Sequence, residues 1–389
     1  MATRAETLVF PVVREKAESI PWFIWACVVG VTSAIIGGHW DISWHRSIGR
    51  DDFWTPAHIA IYLCGIIAGL SSAYLILKTT FGGSLHPREA TVKMWGFRGP
   101  LGAFITAWGG VAMLTSAPFD DWWHNAYGLD VKIVSPPHVL LIMGVLAIQT
   151  GALMLMLGYM NRATGALKRT YDLLFLYTGG MILTLMSVLI LEFTSRAYAH
   201  SGFYYRTVAL AVPAVLIAVA RASGLRWAST FVAAVYTVVL LGFQWILPLF
   251  PAVPKLGPVY NPVTFFVPPQ FPMLLIIPAL GLDMVRPAME QKSKWLQALI
   301  SGLLFFGLFL AVQWPFADFL RTEAAKNWVF GSHYYDYLTG PSSALVRGVF
   351  VAERTSHEFW QNMGLGVVFA VLLSRLGLAW GEGMRKVQR

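Results

Sequence analysis

The stretch HWDISWHRSIGRDDFWTPAH holds side chains that could bind a metal ion. Asp41 is followed four positions later by His45 and thirteen positions after that by His58. Four positions is about one helical turn, so Asp41 and His45 are expected to share a helix face. Thr55 and Pro56 predict a helix start just before His58, with the Thr55 hydroxyl as its N-cap. One carboxylate and two imidazoles suit divalent copper, iron or zinc.

A second stretch, FDDWWHNAYGLDVKIVSPPH, repeats this pattern. Asp120 is followed four positions later by His124 and fourteen positions after that by His138, which Ser135 and Pro136 precede as a predicted capped helix start. A lone interfacial histidine usually has a structural role, but two copies of one spacing favour at least one metal site. Haem ligation is a weaker alternative, because haem needs no carboxylate one turn before the histidine.

The composition predicts that these motifs belong to a membrane protein. Hydrophobic residues make up 56% of the 389 residues and charged residues 13%. Such a composition excludes a soluble globular chain. The formal charge of +9 is spread over short clusters between apolar stretches, which argues against nucleic acid as a partner. Cys27 and Cys64 lie far apart in apolar stretches and suggest neither a disulfide framework nor a thiolate zinc site.

The apolar stretches predict an all-α, polytopic bundle of about ten transmembrane helices. Their approximate ranges are 21–38, 56–78, 100–118, 136–160, 172–194, 206–221, 227–248, 265–284, 296–314 and 358–380. All the basic clusters fall on one side if both termini are cytoplasmic. The two metal motifs then lie near the periplasmic side of a bacterial inner membrane. Residues 1–20 are predicted to form an interfacial arm, and His39 is expected to face the lipid headgroups.

Together the two motifs resemble the C subunit of the copper membrane monooxygenases, the family of particulate methane monooxygenase and ammonia monooxygenase. The resemblance covers roughly residues 36–145. Further along, YNPVTFFVPPQFPMLLIIPALGLD and GLFLAVQWPFADF are faintly similar to a region of the A subunit of the same family. The resemblance therefore suggests a metal-binding half at 21–170 and a second, A-like half at 171–389.

The resemblance implies an intramembrane copper site made by Asp41, His45 and His58. A neighbouring alternative site would combine Asp120 and His124 with His58, so the two sites would share a ligand and need not be filled together. His138 matches a nearby family histidine and is expected to be peripheral. The family has Asn where this chain has Asp120, and the added negative charge would alter metal preference. Copper is the expected cofactor, with iron or zinc as weaker alternatives.

The resemblance implies a membrane-bound monooxygenase that hydroxylates a small apolar substrate, such as a short alkane or ammonia, with O2. Implied partners are the lipid bilayer, other membrane subunits including a cupredoxin-like one, and an electron donor such as a quinol. The alternative is a non-catalytic copper-handling or assembly protein. Glu353 and His357 repeat the carboxylate-to-histidine spacing as a weak accessory site, and His333 lies in an outer loop suited to headgroup contact or docking.

Overall fold

The chain folds into a bundle of helices, as the sequence predicts. The computed structural model describes residues 19–49, 51–82, 90–128, 135–254, 264–331 and 353–387. In order, the helices are α1 (Trp22–Ser47), α2 (Pro56–Phe81), α3 (Leu101–Tyr127), α4 (Pro136–Met160), α5 (Gly165–Leu189), α6 (Gly202–Ser223), α7 (Ala228–Ile246), α8 (Ile276–Met289), α9 (Lys294–Phe319) and α10 (Ser356–Arg385). Among the described residues, nine helices are long and apolar enough to cross a membrane. A small hairpin of β1 (Val92–Met94) and β2 (Phe97–Gly99) connects α2 to α3.

Successive helices run up and down the bundle between two ends. We call the end at which α1 finishes and α2 begins the ligand end, and the opposite one the far end. Asn161, just after α4, donates a hydrogen bond to the backbone oxygen of Val387, just after α10, at 3.2 Å. Because α4 and α10 both finish at the far end, where α1 begins, the described chain enters and leaves the bundle on the same side.

The predicted span 265–284 differs from the structure. Residues 264–275 contain no helix, and α8 begins only at Ile276. Pro268, Pro269 and Pro272 explain the delay, because proline lacks the N–H that an interior helical position needs. This extended segment still leads from the ligand end towards the far end. The Ser43 hydroxyl contacts the backbone oxygen of Val267 at 2.7 Å near its start, and α8 continues from its end.

Two helical hairpins carry the metal motifs, and glycines bring their helices close together. A Cβ atom on Gly37 of α1 would lie 2.7 Å from the backbone nitrogen of Ile61 of α2. A Cβ atom on Gly109 of α3 would lie 2.7 Å from the backbone oxygen of Gly144 of α4. Small residues allow such close backbone approach between membrane helices. The α1–α2 and α3–α4 hairpins therefore present their helix ends as compact pairs.

Some predictions fall on other parts of the chain. His333 and all but the last two residues of the predicted arm 1–20 lie outside the described residues. The division into halves at residue 170 stays a prediction.

Candidate metal centre

Four side chains gather at the ligand end of the α1–α2 hairpin, and we call them cluster A: Asp41, His45, Asp51 and His58. His58 Nε2 lies 2.6 Å from Asp51 Oδ2 and 3.3 Å from Asp41 Oδ1. His45 Nε2 lies 3.4 Å from Asp51 Oδ2 and 3.7 Å from Asp41 Oδ2. The predicted one-turn relation of Asp41 and His45 on α1 is confirmed, and His58 lies in the first turn of α2.

Asp51 is the member of cluster A that the sequence analysis missed. It lies in the connection between α1 and α2, and its side chain is only 11% exposed. Burial raises the pKa of Asp51, but hydrogen bonds and charges from His45 and His58 outweigh it and hold the pKa below its usual range. The sequence did contain a signal for Asp51, although not a periodic one. The connection between α1 and α2 is short, so a carboxylate in it lies close to both helix ends.

The second motif forms its own group, cluster B: Asp120, His124 and His138. His124 Nε2 lies 3.4 Å from Asp120 Oδ2, and His138 Nε2 lies 3.5 Å from Asp120 Oδ1. Asp120 is therefore paired with His138 of the same hairpin, whereas the sequence analysis expected His58 in this role. His58 instead faces Asp41 and Asp51. Each hairpin thus brings together its own acidic side chains and imidazoles. His138, which was expected to be peripheral, contacts Asp120 directly and belongs to cluster B.

Backbone carbonyls orient one histidine in each cluster. His58 Nδ1 donates to the backbone oxygen of Asp52 at 2.9 Å, and His124 Nδ1 donates to that of Gly128 at 3.2 Å. A carbonyl oxygen can only accept, so a proton lies on Nδ1 of each ring, and Nε2 is the nitrogen that faces the carboxylates and would bind a metal ion. Metal-binding histidines are commonly fixed through the other ring nitrogen in this way.

The predicted N-capping hydroxyls occupy the N-cap positions but do not cap. Thr55 Oγ1 accepts from the backbone nitrogen of Asp52 at 2.8 Å and so orders the connection instead. Ser135 makes no side-chain cap bond to α4. Pro137, at the second helical position, has no N–H and so removes one of the two donors that an N-cap side chain can use.

Both clusters border one cavity of about 320 Å³ at the ligand end. Asp51 and His58 line it from cluster A, and Asp120 and His124 line it from cluster B. Tyr62, one turn after His58, also lines the cavity, and its ring centroid lies 6.0 Å from that of His58. Further lining residues are Asp52, Asp121 and Asn125. The wall is therefore mainly polar and acidic.

The donor atoms of both clusters fit a metal ion. In cluster A, ligand atoms of Asp41, His45 and Asp51 all lie within 4.8 Å of one another, and the same holds for the three members of cluster B. Asp41 Oδ1 is buried and accepts no hydrogen bond of good geometry, although His58 Nε2 is 3.3 Å away. A cation between these groups would satisfy that oxygen. Nitrogen and carboxylate donors suit copper, iron or zinc in their divalent states.

Two other predicted residues have structural roles. His39 is buried rather than facing headgroups: its ring stacks on Phe243 at 4.6 Å and its Nδ1 contacts the backbone oxygen of Ile35 at 2.9 Å. Glu353 Oε1 accepts from the backbone nitrogen of Phe203 in the first turn of α6 at 2.7 Å. A carboxylate at this position stabilises the helix N-terminus.

No protein-family model, curated protein or solved structure matches the chain. The resemblance to the copper membrane monooxygenases rests on the two motifs and stays a prediction.

Proposed function

We propose that this chain is a membrane-embedded copper protein that serves as a monooxygenase or as the metal-binding subunit of one. The observation that carries the proposal is the arrangement of clusters A and B. Two hairpins each direct carboxylates and imidazoles to one end, and both clusters border a common cavity. In this proposal the ligand end faces the periplasm of a bacterial inner membrane and both termini are cytoplasmic.

The two clusters would hold a metal ion differently because their charges differ. Cluster A contains two carboxylates, which balance a divalent cation when the imidazoles are neutral. Cluster B contains one carboxylate, so a divalent cation there keeps one positive charge and a monovalent cation keeps none. We therefore expect cluster A to prefer divalent copper and cluster B to tolerate a change of oxidation state more easily.

Copper bound at these clusters would supply the redox chemistry with O2 that the protein side chains lack. The chain itself orients the imidazoles through the carbonyls of Asp52 and Gly128 and positions Tyr62 beside His58. The acidic wall attracts small cations and polar molecules. Of the two substrate classes that the resemblance implies, the wall therefore suits ammonia better than an alkane. Electrons would come from a separate donor such as a quinol, and a cupredoxin-like subunit is the expected partner.

A second function is favoured by the same acidic wall. Asp52 and Asp121 line the cavity without belonging to either cluster. Extra carboxylates beside a metal site suit the capture and transfer of cations more than the exclusion of water from a reactive centre. The alternative is therefore a non-catalytic copper-handling membrane protein.

The test uses the purified full chain in lipid nanodiscs. Copper content is measured first, and O2 consumption is then followed with a reduced quinol and either ammonia or a short alkane. We expect bound copper in the parent and its loss when His58 and His138 are both replaced by Ala, with Asp52→Asn as the control. Substrate-dependent O2 consumption would support the monooxygenase. Bound copper without any oxidation, also after its partner subunits are added, would favour the handling protein, and a parent without copper would refute both.

A further inference from the structure

The β1–β2 hairpin at the far end carries two basic side chains directly opposite each other. Lys93 of β1 is paired in register with Arg98 of β2, so the two side chains lie on the same face of the hairpin. Val92 and Met94 alternate with Lys93 along β1, and both pack against the core of the bundle. The basic face of the hairpin is therefore directed away from the core.

The charges of Lys93 and Arg98 are not offset by a carboxylate in the part of the chain that the structure describes. Lys93 is exposed, and Arg98 Nη1 donates only to the uncharged Thr91 hydroxyl, at 3.2 Å. Like charges that face each other across two strands destabilise the pairing. An anion bound between the two side chains would remove this repulsion.

The hairpin is held at the boundary of the membrane. It connects α2 to α3, and both helices are long and apolar enough to span a bilayer. The backbone N–H of Arg98 donates to the hydroxyl of Thr80, in the last turn of α2, at 2.8 Å. A helix of 26 residues such as α2 is about 39 Å long, whereas the hydrocarbon core is about 30 Å thick. The end of α2 and the hairpin beside it therefore lie at the level of the lipid headgroups.

The tip of the hairpin is aromatic and strained. Trp95 and Gly96 have φ angles of 47° and 87°, as in a type I′ turn, where a bulky side chain at positive φ is unfavourable. Trp95 is 72% exposed, and its ring centroid lies 5.3 Å from that of Trp108, which is also exposed. Trp108 lies two turns into α3, so the Trp95 indole leans along the side of a membrane helix. Tryptophan is favoured at this boundary between lipid and water.

The aromatic surroundings favour a lipid over a soluble acidic partner. Phe81, at the end of α2, and Phe97 of β2 are both exposed, and their ring centroids lie 6.2 Å apart. Together with Trp95 and Trp108 they give the basic face an apolar border. Such a border suits the glycerol and the first acyl carbons of a lipid, and the two cations suit its phosphate.

We propose that the β1–β2 hairpin binds the headgroup of an anionic phospholipid through Lys93, Trp95 and Arg98. The two cations contact the phosphate, and the Trp95 indole packs beside the glycerol. A zwitterionic headgroup binds less well, because it brings a cation of its own towards two basic side chains. This site is at the opposite end of the bundle from clusters A and B and does not depend on copper.

The first experiment measures lipid binding to the full chain in detergent micelles by native mass spectrometry. Phosphatidylglycerol carries a net charge and acyl chains, phosphatidylcholine carries the chains without a net charge, and inorganic phosphate is a competitor that carries only charge. We expect the tightest phosphatidylglycerol affinity to fall about fivefold in Lys93→Gln and further in Lys93→Glu, since each basic residue contributes near an anionic headgroup. The matched control is Lys292→Gln, an exposed basic residue between α8 and α9 at the same end.

Trp95→Asn tests the tip of the hairpin. Asparagine adopts positive φ readily, so the turn is kept while the indole is lost. We expect this variant to bind phosphatidylglycerol several-fold more weakly than the parent.

The unfolding temperature separates lipid binding from a structural role. Without phosphatidylglycerol, Lys93→Glu should unfold at the same temperature as the parent or higher, because a like-charge pair becomes an opposite-charge pair. Added phosphatidylglycerol should stabilise the parent by mass action and stabilise Lys93→Glu less. A variant that is equally destabilised with and without the lipid would show that Lys93 has only a structural role, which would overturn the proposal.

Three binding results would also overturn it. Phosphatidylcholine that binds as tightly as phosphatidylglycerol would show that charge is not recognised. Displacement of phosphatidylglycerol by an equal concentration of inorganic phosphate would identify a site for a free anion instead of a lipid. Unchanged phosphatidylglycerol affinity in both Lys93→Glu and Trp95→Asn would remove the hairpin as the binding site.

Discussion

Replacing Asp51 by Asn tests whether cluster A contains a fourth metal-binding side chain. Asp51 Oδ2 lies 2.6 Å from His58 Nε2 and 3.4 Å from His45 Nε2, so one carboxylate oxygen bridges the two imidazoles. An amide has nearly the same shape but no charge. The variant therefore removes the electrostatic contribution of Asp51 and keeps its volume.

This geometry gives the expected loss of folding stability and the expected loss of copper affinity in Asp51→Asn. A hydrogen bond to a charged group contributes about 1.5–3 kcal/mol, and His45 is 50% exposed, so solvent screens its share. We expect Asp51→Asn to destabilise the metal-free protein by roughly 1–2 kcal/mol, because the amide keeps part of the His58 contact. Loss of an anionic ligand should weaken copper binding at cluster A by about ten- to hundredfold.

The assay is a copper titration against a competing chelator, with thermal unfolding of the metal-free protein alongside. Asp52→Asn is the matched control, because Asp52 belongs to neither cluster and its Oδ1 accepts from the backbone nitrogen of Trp54 at 2.9 Å and from the Thr55 hydroxyl at 3.5 Å. If the two variants bind copper with the same affinity, Asp51 is not a ligand. If Asp51→Asn binds more tightly than the parent, the assignment of cluster A is wrong.

The pH dependence of folding stability provides a second test of the Asp51→Asn variant. Burial raises the pKa of Asp51, but His45 and His58 lower it to a net value below the usual range. A carboxylate with a lower pKa in the folded state contributes stability that is present above its unfolded pKa of about 4. That contribution is lost as the pH falls through the folded-state pKa. The stability difference between parent and Asp51→Asn should therefore shrink on acidification below about pH 4, and a difference that grows there would contradict this account.

Three further predictions concern the second motif and the hairpins. If the clusters are independent, His58→Ala and His138→Ala should each remove about half of the bound copper, as measured by elemental analysis. Loss of all copper in His58→Ala would instead support the arrangement in which His58 is a ligand of both sites. Asp120→Asn should leave copper bound at cluster A and make copper binding less dependent on pH, because an amide, unlike a carboxylate, does not have to lose a proton before it binds a metal. The measurement is a copper titration at two pH values, and affinities equal to those of the parent at both would exclude Asp120 as a ligand. Gly109→Leu should destabilise the α3–α4 hairpin by several kcal/mol, since a Cβ atom at position 109 would lie 2.7 Å from the backbone oxygen of Gly144. An unchanged unfolding temperature of this variant would refute the close packing of α3 and α4.

The elements of this fold were largely readable from the sequence, and the grouping of ligands was not. Apolar length identified the membrane helices, and the Asp-to-His spacing placed Asp41 and His45 on one turn of α1. Which histidine joins Asp120 depends on how closely the hairpins pack against each other, and spacing along the chain contains no such information. Asp51 was missed because a carboxylate in a connection has no periodic pattern.

The extended segment before α8 has a consequence for how the protein is made. Its backbone near Val267 is hydrogen-bonded by Ser43 and Ser47 of α1, and its later residues by Tyr236 of α7 and Gln313 of α9. Non-helical backbone is tolerated at membrane depth only where protein groups satisfy it. Gln313 is synthesised after the segment it supports. If the segment entered lipid as an independent unit before α9, the backbone N–H of Leu274, which donates to Gln313, would have no partner, so we expect insertion of this segment to depend on α9.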